Sequence, residues 1–343
     1  MNRYVILANP GHNRIYFETS MIIAQLELEA LSLAYNLEIV EIGEDDLGLP
    51  ASIGFQTNRE LTEEDFEVLG FSSIYYALFE VLEGGLLRPV KVPDFHTFPE
   101  SMVKILKYTG KTNEQFTRLM VNLALSACET NSEKITLCDP MCGKGTTLYE
   151  GFIRGFDVRG VEINAKWSQE IQTYVRRFLK EGRFKHRAER LSRMNARGKK
   201  FADGFQVTTA VTKEDFKADK VQAFQLFHAD TRKANLLIKN KSIDLIVSDL
   251  PYGVQHGSKQ AQSTSMERSP LELMKASIPA WVRMMKQKGS MVLSFNELTM
   301  KYEDLAAVME KNGLTVLDEA PYTGFLHRVD QSINRNLIVA VKA

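Results

Sequence analysis

The sequence predicts an α/β protein: a doubly wound, mostly parallel sheet preceded by a small α+β unit. Three observations predict this. From about residue 112 onward, apolar runs of strand length alternate with amphipathic runs of helix length, the pattern of parallel strands joined by crossover helices. Before residue 90 the order is different: strand, helix, two strands, helix. Between the two parts, Leu87 to Pro99 carries three prolines in thirteen residues; proline fixes φ and removes a donor, so an extended connection is expected. Residues 1–90, 91–110 and 111–343 are accordingly expected to form a small acidic α+β domain, a linker and a large α/β domain.

The elements follow in order. Tyr4–Ala8 reads as a strand. Ser20–Tyr35 reads as a helix capped at Thr19 or Ser20, with Ile22, Ile23, Leu26, Leu28 and Leu31 turned inward. Glu38–Ile42 and Ser52–Phe55 read as strands, and Phe66–Leu82 as a second helix. In the larger part, Thr112-Asn-Glu-Gln115 has capping-box spacing and opens a helix to about Cys128. Strands are expected at Lys134–Cys138, Asp157–Glu162, Phe224–His228, Ile243–Ser248 and Ser290–Phe295. A helix starts at Thr146, and a long basic helix follows Glu162. Leu314–Leu317 and Asn336–Val341 close the chain as an antiparallel-looking pair, compatible with a mixed sheet edge.

Composition excludes several classes. Of 343 residues 44% are apolar and 25% charged, so a mostly disordered chain is excluded. No apolar run approaches the ~20 residues of a membrane helix, and the apolar stretch at the start is too short for a signal peptide. Three cysteines, none in C-x-x-C spacing, make no disulfide framework; a reducing, cytoplasmic setting without structural zinc is expected. The zero net charge hides a split. Residues 1–100 hold 5 Lys and Arg against 17 Asp and Glu, a net of −12, and the remainder holds +12. A basic larger part suggests a polyanionic partner.

The segment Asp139-Pro140-Met141-Cys142-Gly143-Lys144-Gly145-Thr146-Thr147 ends a strand and opens a helix, where glycine lets backbone approach a ligand closely. A phosphate-binding P-loop fails, because Cys138 occupies the first glycine position and Gly145 follows the lysine. A dinucleotide fingerprint fails at Leu148, where a small residue is required. The remaining reading is the S-adenosylmethionine loop of class I methyltransferases, with Asp139 ending the first strand, Pro140 and Cys142 in the loop, and Gly143 and Gly145 flanking the cofactor's amino-acid part. Glu162, followed by Ile163, ends the next strand, where a carboxylate accepts from both ribose hydroxyls. Asp230, followed by Thr231, ends the strand after that, where a carboxylate accepts from the adenine amine. Three acidic residues at the carboxyl ends of three strands line the crevice in which open α/β sheets bind ligands.

Ser248-Asp249-Leu250-Pro251-Tyr252-Gly253 follows the next strand. An exocyclic amine conjugated to a base ring has a poorly available lone pair. The Asp249 carboxylate and the Leu250 carbonyl suit its two N–H groups; accepting them would align the lone pair and stabilise the positive charge that develops. Pro251 would stiffen the turn. Tyr252 would stack on the base, a contact of ~1–3 kcal/mol.

These motifs carry a resemblance. Residues ~96–343 resemble the RNA methylases usually fused to THUMP domains, and most of all those that make N2-methylguanosine at position ten of tRNA. The residues are Thr109-Gly-Lys-Thr-Asn-Glu-Gln-Phe-Thr-Arg-Leu119, Asp139 to Thr147, Gly160-Val-Glu-Ile-Asn164 and Asp249 to Gly253. The resemblance implies a Rossmann-like class I methyltransferase sheet and an S-adenosylmethionine-dependent transfer to an exocyclic amine, guanine N2 in tRNA first and adenine N6 in RNA or DNA as the alternative. It implies that the helix from Phe116 and Thr117 covers the cofactor's methionine end, and that no metal takes part. Two departures stand out. Leu250 replaces the commoner proline. And ~95 residues are too few for both a THUMP domain and its accompanying ferredoxin-like unit, so only the latter is expected.

Arg176, Lys180, Arg183, Arg187, Arg190, Arg193 and Arg197 recur at intervals of three and four. On one continued helix they would share a face roughly 140° wide, and evenly spaced guanidinium groups suit an RNA phosphate backbone. His228 and His256 are expected to be structural or exposed. Gln255–Ser269 is expected to be a loop over the substrate or a connector, and His327-Arg328 an exposed hairpin tip.

Overall fold

The computed structural model describes residues 1–10, 14–45, 47–104, 113–195, 197–252 and 269–343, and the side chains of 14–20 are not among those described. Thr109–Thr112, Gly253, His256 and nearly all of 255–269 lie outside the described residues.

The N-terminal unit consists of β1 (Asn2–Ala8), α1 (Arg14–Tyr35), β2 (Ile39–Glu44), β3 (Ser52–Thr57), α2 (Glu63–Gly70), β4 (Tyr75–Val81) and β5 (Leu87–Val90). The strands form one antiparallel sheet in the order β2-β3-β1-β4-β5. The helix expected over Phe66–Leu82 is corrected: it ends at Gly70, and Tyr75-Tyr-Ala-Leu-Phe-Glu-Val81 is a strand. Aromatic and β-branched side chains favour a half-buried pleated surface, and Ser72-Ser73 breaks the helical run. Within α1, Ile23, Leu28 and Leu31 are buried as expected, but Ile22 is 62% exposed.

The chain continues through α3 (Ser101–Lys104), α4 (Glu114–Ala127), β6 (Thr136–Asp139), α5 (Thr146–Ile153), β7 (Asp157–Glu162), α6 (Ala165–Glu181), β8 (Lys185–Met194), β9 (Lys200–Ala210), α7 (Lys213–Lys217) and β10 (Gln222–His228). It closes with α8 (Ala234–Leu237), β11 (Ile243–Asp249), α9 (Pro270–Met284), β12 (Met285–Asn296), α10 (Tyr302–Lys311), β13 (Leu314–Val316), β14 (His327–Arg328) and β15 (Asn334–Lys342). The large sheet runs β13-β15-β12-β11-β6-β7-β10-β9-β8, with β14 paired to β15. Strands β10, β7, β6, β11 and β12 are mutually parallel, and β15 and β9 are antiparallel to their neighbours. The sheet is therefore mixed, parallel at its centre and antiparallel toward both margins. The Asn113 side chain accepts from Gln115 N at 2.8 Å and caps α4 one residue into the expected motif.

Both faces are covered. Leu245 and Val247 of β11 face the core formed with α4, α5 and α6, whereas Ile243 and Ile246 face the core formed with α8, α9 and α10. A strand buried on two sides reads as a continuous apolar run, which is why β11 was legible without alternation.

The basic helix expected after Glu162 is corrected as well. It stops at Glu181; Gly182 caps it, Arg183 takes φ 57°, and residues 185–210 form a β8–β9 hairpin that extends the sheet beyond β10. Helix-compatible spacing of the basic residues yields to the demand of β10 for a partner along its open edge.

Helix α1 is shared. Met21, Ala24 and Leu28 face the small sheet, and Ile23 and Ala30 pack into the core around α4. Glu27, fully buried on α1, accepts from Ser73 N and Oγ and from Asn122 Nδ2 of α4. Asn122 Oδ1 accepts from Arg154 Nη1 at 2.6 Å, and Arg154 and Arg118 both donate to Glu150. Burial pushes the Glu27 carboxyl above its ordinary range, against the pull of its donors. Asn122→Ala is expected to lower the unfolding free energy by about 2–4 kcal/mol, because it strips hydrogen bonds from two buried charged partners, Glu27 and Arg154, at once; a shift below ~1 kcal/mol in urea denaturation would mean that the cluster is solvated.

Candidate active site

Strand β6 delivers Asp139 into a buried position. Its Oδ1 accepts from Ser248 Oγ at 2.7 Å and from Met141 N at 3.1 Å. Pro140 is buried beside it, and the loop turns through Cys142, whose N–H donates to Val161 O. The Cys142 thiol is buried in the core below, so it is packing and not a nucleophile. Gly143 and Gly145 take φ +53° and +89°, values that side chains rarely adopt, and Gly145 caps α5. A Cβ on Gly143 would meet nothing within 4 Å, so the loop presents bare backbone to open space there.

Glu162, at the end of β7, is fixed by two backbone donors: Gly143 N to Oε2 at 2.8 Å and Asn164 N to Oε1 at 2.7 Å. Each oxygen keeps a lone pair for a hydroxyl. Burial pushes Glu162 up to about 7 and Asp139 up to about 6, although hydrogen bonds pull both down. Ile163 beside it is 68% exposed. Asp230 follows β10, but Arg232 grips both of its oxygens and, with burial opposing, holds its carboxyl below the ordinary value. Thr231 is turned inward, its hydroxyl accepting from Trp281 Nε1 at 2.9 Å. The open glycine backbone, the buried acceptor and the apolar Ile163 fit the amino-acid, ribose and adenine parts of S-adenosylmethionine.

Asp249 ends β11, the neighbour of β6 on its other side. Leu250 N donates to Ser294 O at 2.9 Å; the Leu250 side chain is buried and Pro251 is exposed. Tyr252 folds back so that its hydroxyl donates to Asp249 Oδ1 at 2.5 Å, while Arg335 Nε donates to that hydroxyl at 2.8 Å. The Arg335 guanidinium lies 4.4 Å from the Phe116 ring centroid and 5.4 Å from that of Tyr252. Burial, then the Asp249 charge, push the Tyr252 hydroxyl far above its ordinary value.

Arg335, 7% exposed on β15, is the residue that sequence reasoning missed; its one signal is a charge at the head of a strand that continues as the apolar run Leu337–Val341. Phe116 and Thr117 are wholly buried: Phe116 packs under Arg335 and against His327, and the Thr117 hydroxyl donates to Asn113 O. The helix therefore supports the reactive motif from below. His327 is corrected from exposed tip to buried core, 4% exposed, while Arg328 is exposed.

The basic stripe is divided by the hairpin. Arg176 and Lys180 stand on α6, Arg183 in the turn, Arg187, Arg190 and Arg193 on β8, and Arg197 in the following turn. In a strand, alternate residues face opposite ways, so Arg190 leaves the face of Arg187 and Arg193. Arg187 pairs with Glu189 at 2.8 Å, and Arg193 lies over Phe227 and donates to Leu237 O.

Residues 105–316 match the family model UPF0020, the RMKL-like methyltransferase domain. No curated protein matches significantly. Among solved structures, TrmN from Thermus thermophilus is similar over 100% of both chains at 11% identity, with a TM-score of 0.46. Magnesium protoporphyrin IX methyltransferase (ChlM) from Synechocystis PCC 6803, solved with bound SAM, is 14% identical over 67% of this chain and 79% of that one, with a TM-score of 0.38. An rRNA methylase from Streptococcus thermophilus is 8% identical over 62% and 88%, with a TM-score of 0.32.

Glu162 and Asp139 keep protons in the folded chain at pH values where the unfolded chain has lost them. Stability of the ligand-free protein is thus expected to fall as pH rises from about 4 to about 7 and to level off above that. Glu162→Gln flattens the slope in thermal melts. S-adenosylhomocysteine, whose ribose needs the ionised carboxylate, binds more tightly across the same rise; a variant that keeps the wild-type melting profile would refute the assignment.

Proposed function

The chain belongs to the RMKL-like methyltransferase domain family, and from that premise we propose that it is an S-adenosylmethionine-dependent RNA methyltransferase acting on an exocyclic base amine, guanine N2 of a tRNA first. When bound, S-adenosylmethionine supplies an electrophilic methyl group on a sulfonium. Gly143, Gly145 and Glu162 are the residues to hold it, with Ile163 against the adenine and Asp139 anchoring the loop.

The observation that carries the reading is the adjacency of β6 and β11. Ser248 bonds Asp139 at the cofactor loop and immediately precedes Asp249, so acceptor and donor sites share one rigid corner. Asp249 and the Leu250 carbonyl would take the two amine N–H groups and stabilise charge on the nitrogen. Holding the amine in line with the donor lowers the barrier by roughly 7–11 kcal/mol in favourable cases. The Tyr252 hydroxyl donates to Asp249 where an amine would, so base entry exchanges one donor for another. We read the N-terminal unit as ferredoxin-like, from its antiparallel β2-β3-β1-β4 order with β5 added. Among the described residues no helix is long and apolar enough to cross a membrane, and no group of three or more His, Cys, Asp or Glu could hold a metal.

Incubation of purified protein with tRNA and labelled cofactor, followed by nucleoside mass spectrometry, is expected to yield N2-methylguanosine; N6-methyladenosine would assign the other amine, and no labelled nucleoside would overturn the reading. Asp249→Ala is expected to lower kcat roughly 10²–10³-fold with cofactor affinity unchanged. Tyr252→Ala should weaken RNA turnover by ~1–3 kcal/mol, a loss that Tyr252→Phe largely avoids because the ring remains.

A further inference from the structure

The hairpin that divides the basic stripe also rebuilds part of it. Where α6 meets β8 a hollow of about 270 Å³ opens, lined by Gln169, Gln172, Thr173, Arg176 and Arg190. The four helical residues stand at i, i+3, i+4 and i+7, one face of α6, and Arg190 reaches the same space from the middle of β8. Such a stripe is normally apolar on a helix that packs; here it is entirely polar and has no carboxylate.

The state of the guanidinium groups singles this place out. Arg177 pairs with Glu181, Arg187 with Glu189, and Arg193 is held by Phe227 and Leu237 O. Arg176 and Arg190, both exposed, have neither an ion pair nor a hydrogen-bond partner among the described residues. The Thr173 hydroxyl donates to Gln169 O at 2.9 Å and accepts from Gln169 Nε2 at 3.4 Å, which leaves the Gln172 amide and the two guanidinium forks as the donors toward the hollow. Two free forks facing one concavity match the oxygens of a tetrahedral anion.

We infer that this hollow seats a phosphate group, and we assign it to the backbone of the RNA substrate; the assignment rests on the RNA reading proposed above. Its position specifies the substrate further. Arg190 on β8 and Asp249 on β11 are separated by five strand spacings, β11-β6-β7-β10-β9-β8, or about 24 Å across the sheet. A stacked strand advances ~3.4 Å per nucleotide, so roughly seven nucleotides lie between the reacting base and the seated phosphate. The partner is a folded RNA body that spans the sheet, and a nucleoside or short oligonucleotide reaches only the catalytic end.

The test compares wild type with the Arg176→Ala/Arg190→Ala double variant on two RNAs, a full-length tRNA and a five-nucleotide fragment carrying the same target base. On tRNA the variant is expected to bind roughly tenfold more weakly or worse. Its plot of log affinity against log salt should be shallower by roughly 0.7–0.9, with kcat at saturation unchanged. On the fragment the two proteins are expected to be equal, which also shows that the variant folds. An unchanged salt slope on tRNA, or equal losses on both RNAs, would overturn the seat. Should the wild type methylate no RNA, the function proposed above falls, and inorganic phosphate followed by phosphorus NMR tests the hollow by itself. Phosphate held by wild type and not by the variant would support a seat for free phosphate, and binding by neither would overturn it.

Discussion

The hydrogen bond from Ser248 to Asp139 is the constraint on which the site depends. It is buried, 2.7 Å long, and joins the ends of two adjacent parallel strands. Both strands lie in the middle of the sheet, covered on both faces, so neither end can shift without disturbing two cores. One strand supplies the glycine loop and the other supplies Asp249. The hydroxyl also keeps Asp139 turned into the loop, where the nearby Asp249 charge would otherwise drive the two carboxylates apart.

A second layer fixes the reactive tyrosine. Arg335 comes from the antiparallel β15 and Phe116 from the first turns of α4; the Arg335 guanidinium lies over the Phe116 ring and holds Tyr252 through its hydroxyl. The guanidinium offsets the negative charge of Asp249 through the tyrosine hydroxyl, so the acceptor sits within a balanced group of charges. Three distant stretches of chain, near residues 116, 250 and 335, thus meet at one point.

What the sequence revealed depended on how local the physics was. The strands β7, β10 and β11, the glycine loop and the three strand-end carboxylates were legible: β11 holds the apolar run Leu245-Ile-Val247, β7 and β10 interleave apolar with polar residues, and the loop chemistry is contiguous. Arg335 was not, because its role exists only once β15 lies beside β12. The hairpin was misread as helix because a basic residue every third or fourth position satisfies a helix face, and nothing local records that β10 has an edge to fill. Tyr75–Val81 was read as helix from its apolar content alone, although two adjacent tyrosines and the serine pair before them favour a strand. Thr231 and Thr117 have hydroxyls engaged within the protein, with Trp281 Nε1 and Asn113 O, which only the folded chain reveals.

Strand β8 ends the large sheet, so along its ten residues every second one turns its backbone donor and acceptor outward along the rim. A bare rim of that length invites another chain to dock onto it and continue the ladder. Here Lys185, Arg187, Arg190 and Arg193 outnumber the single carboxylate of the strand, Glu189, so a second copy approaching edge to edge meets net repulsion. The same cations thereby protect the protein from stacking into aggregates, and neutralising them for any purpose would also remove that safeguard.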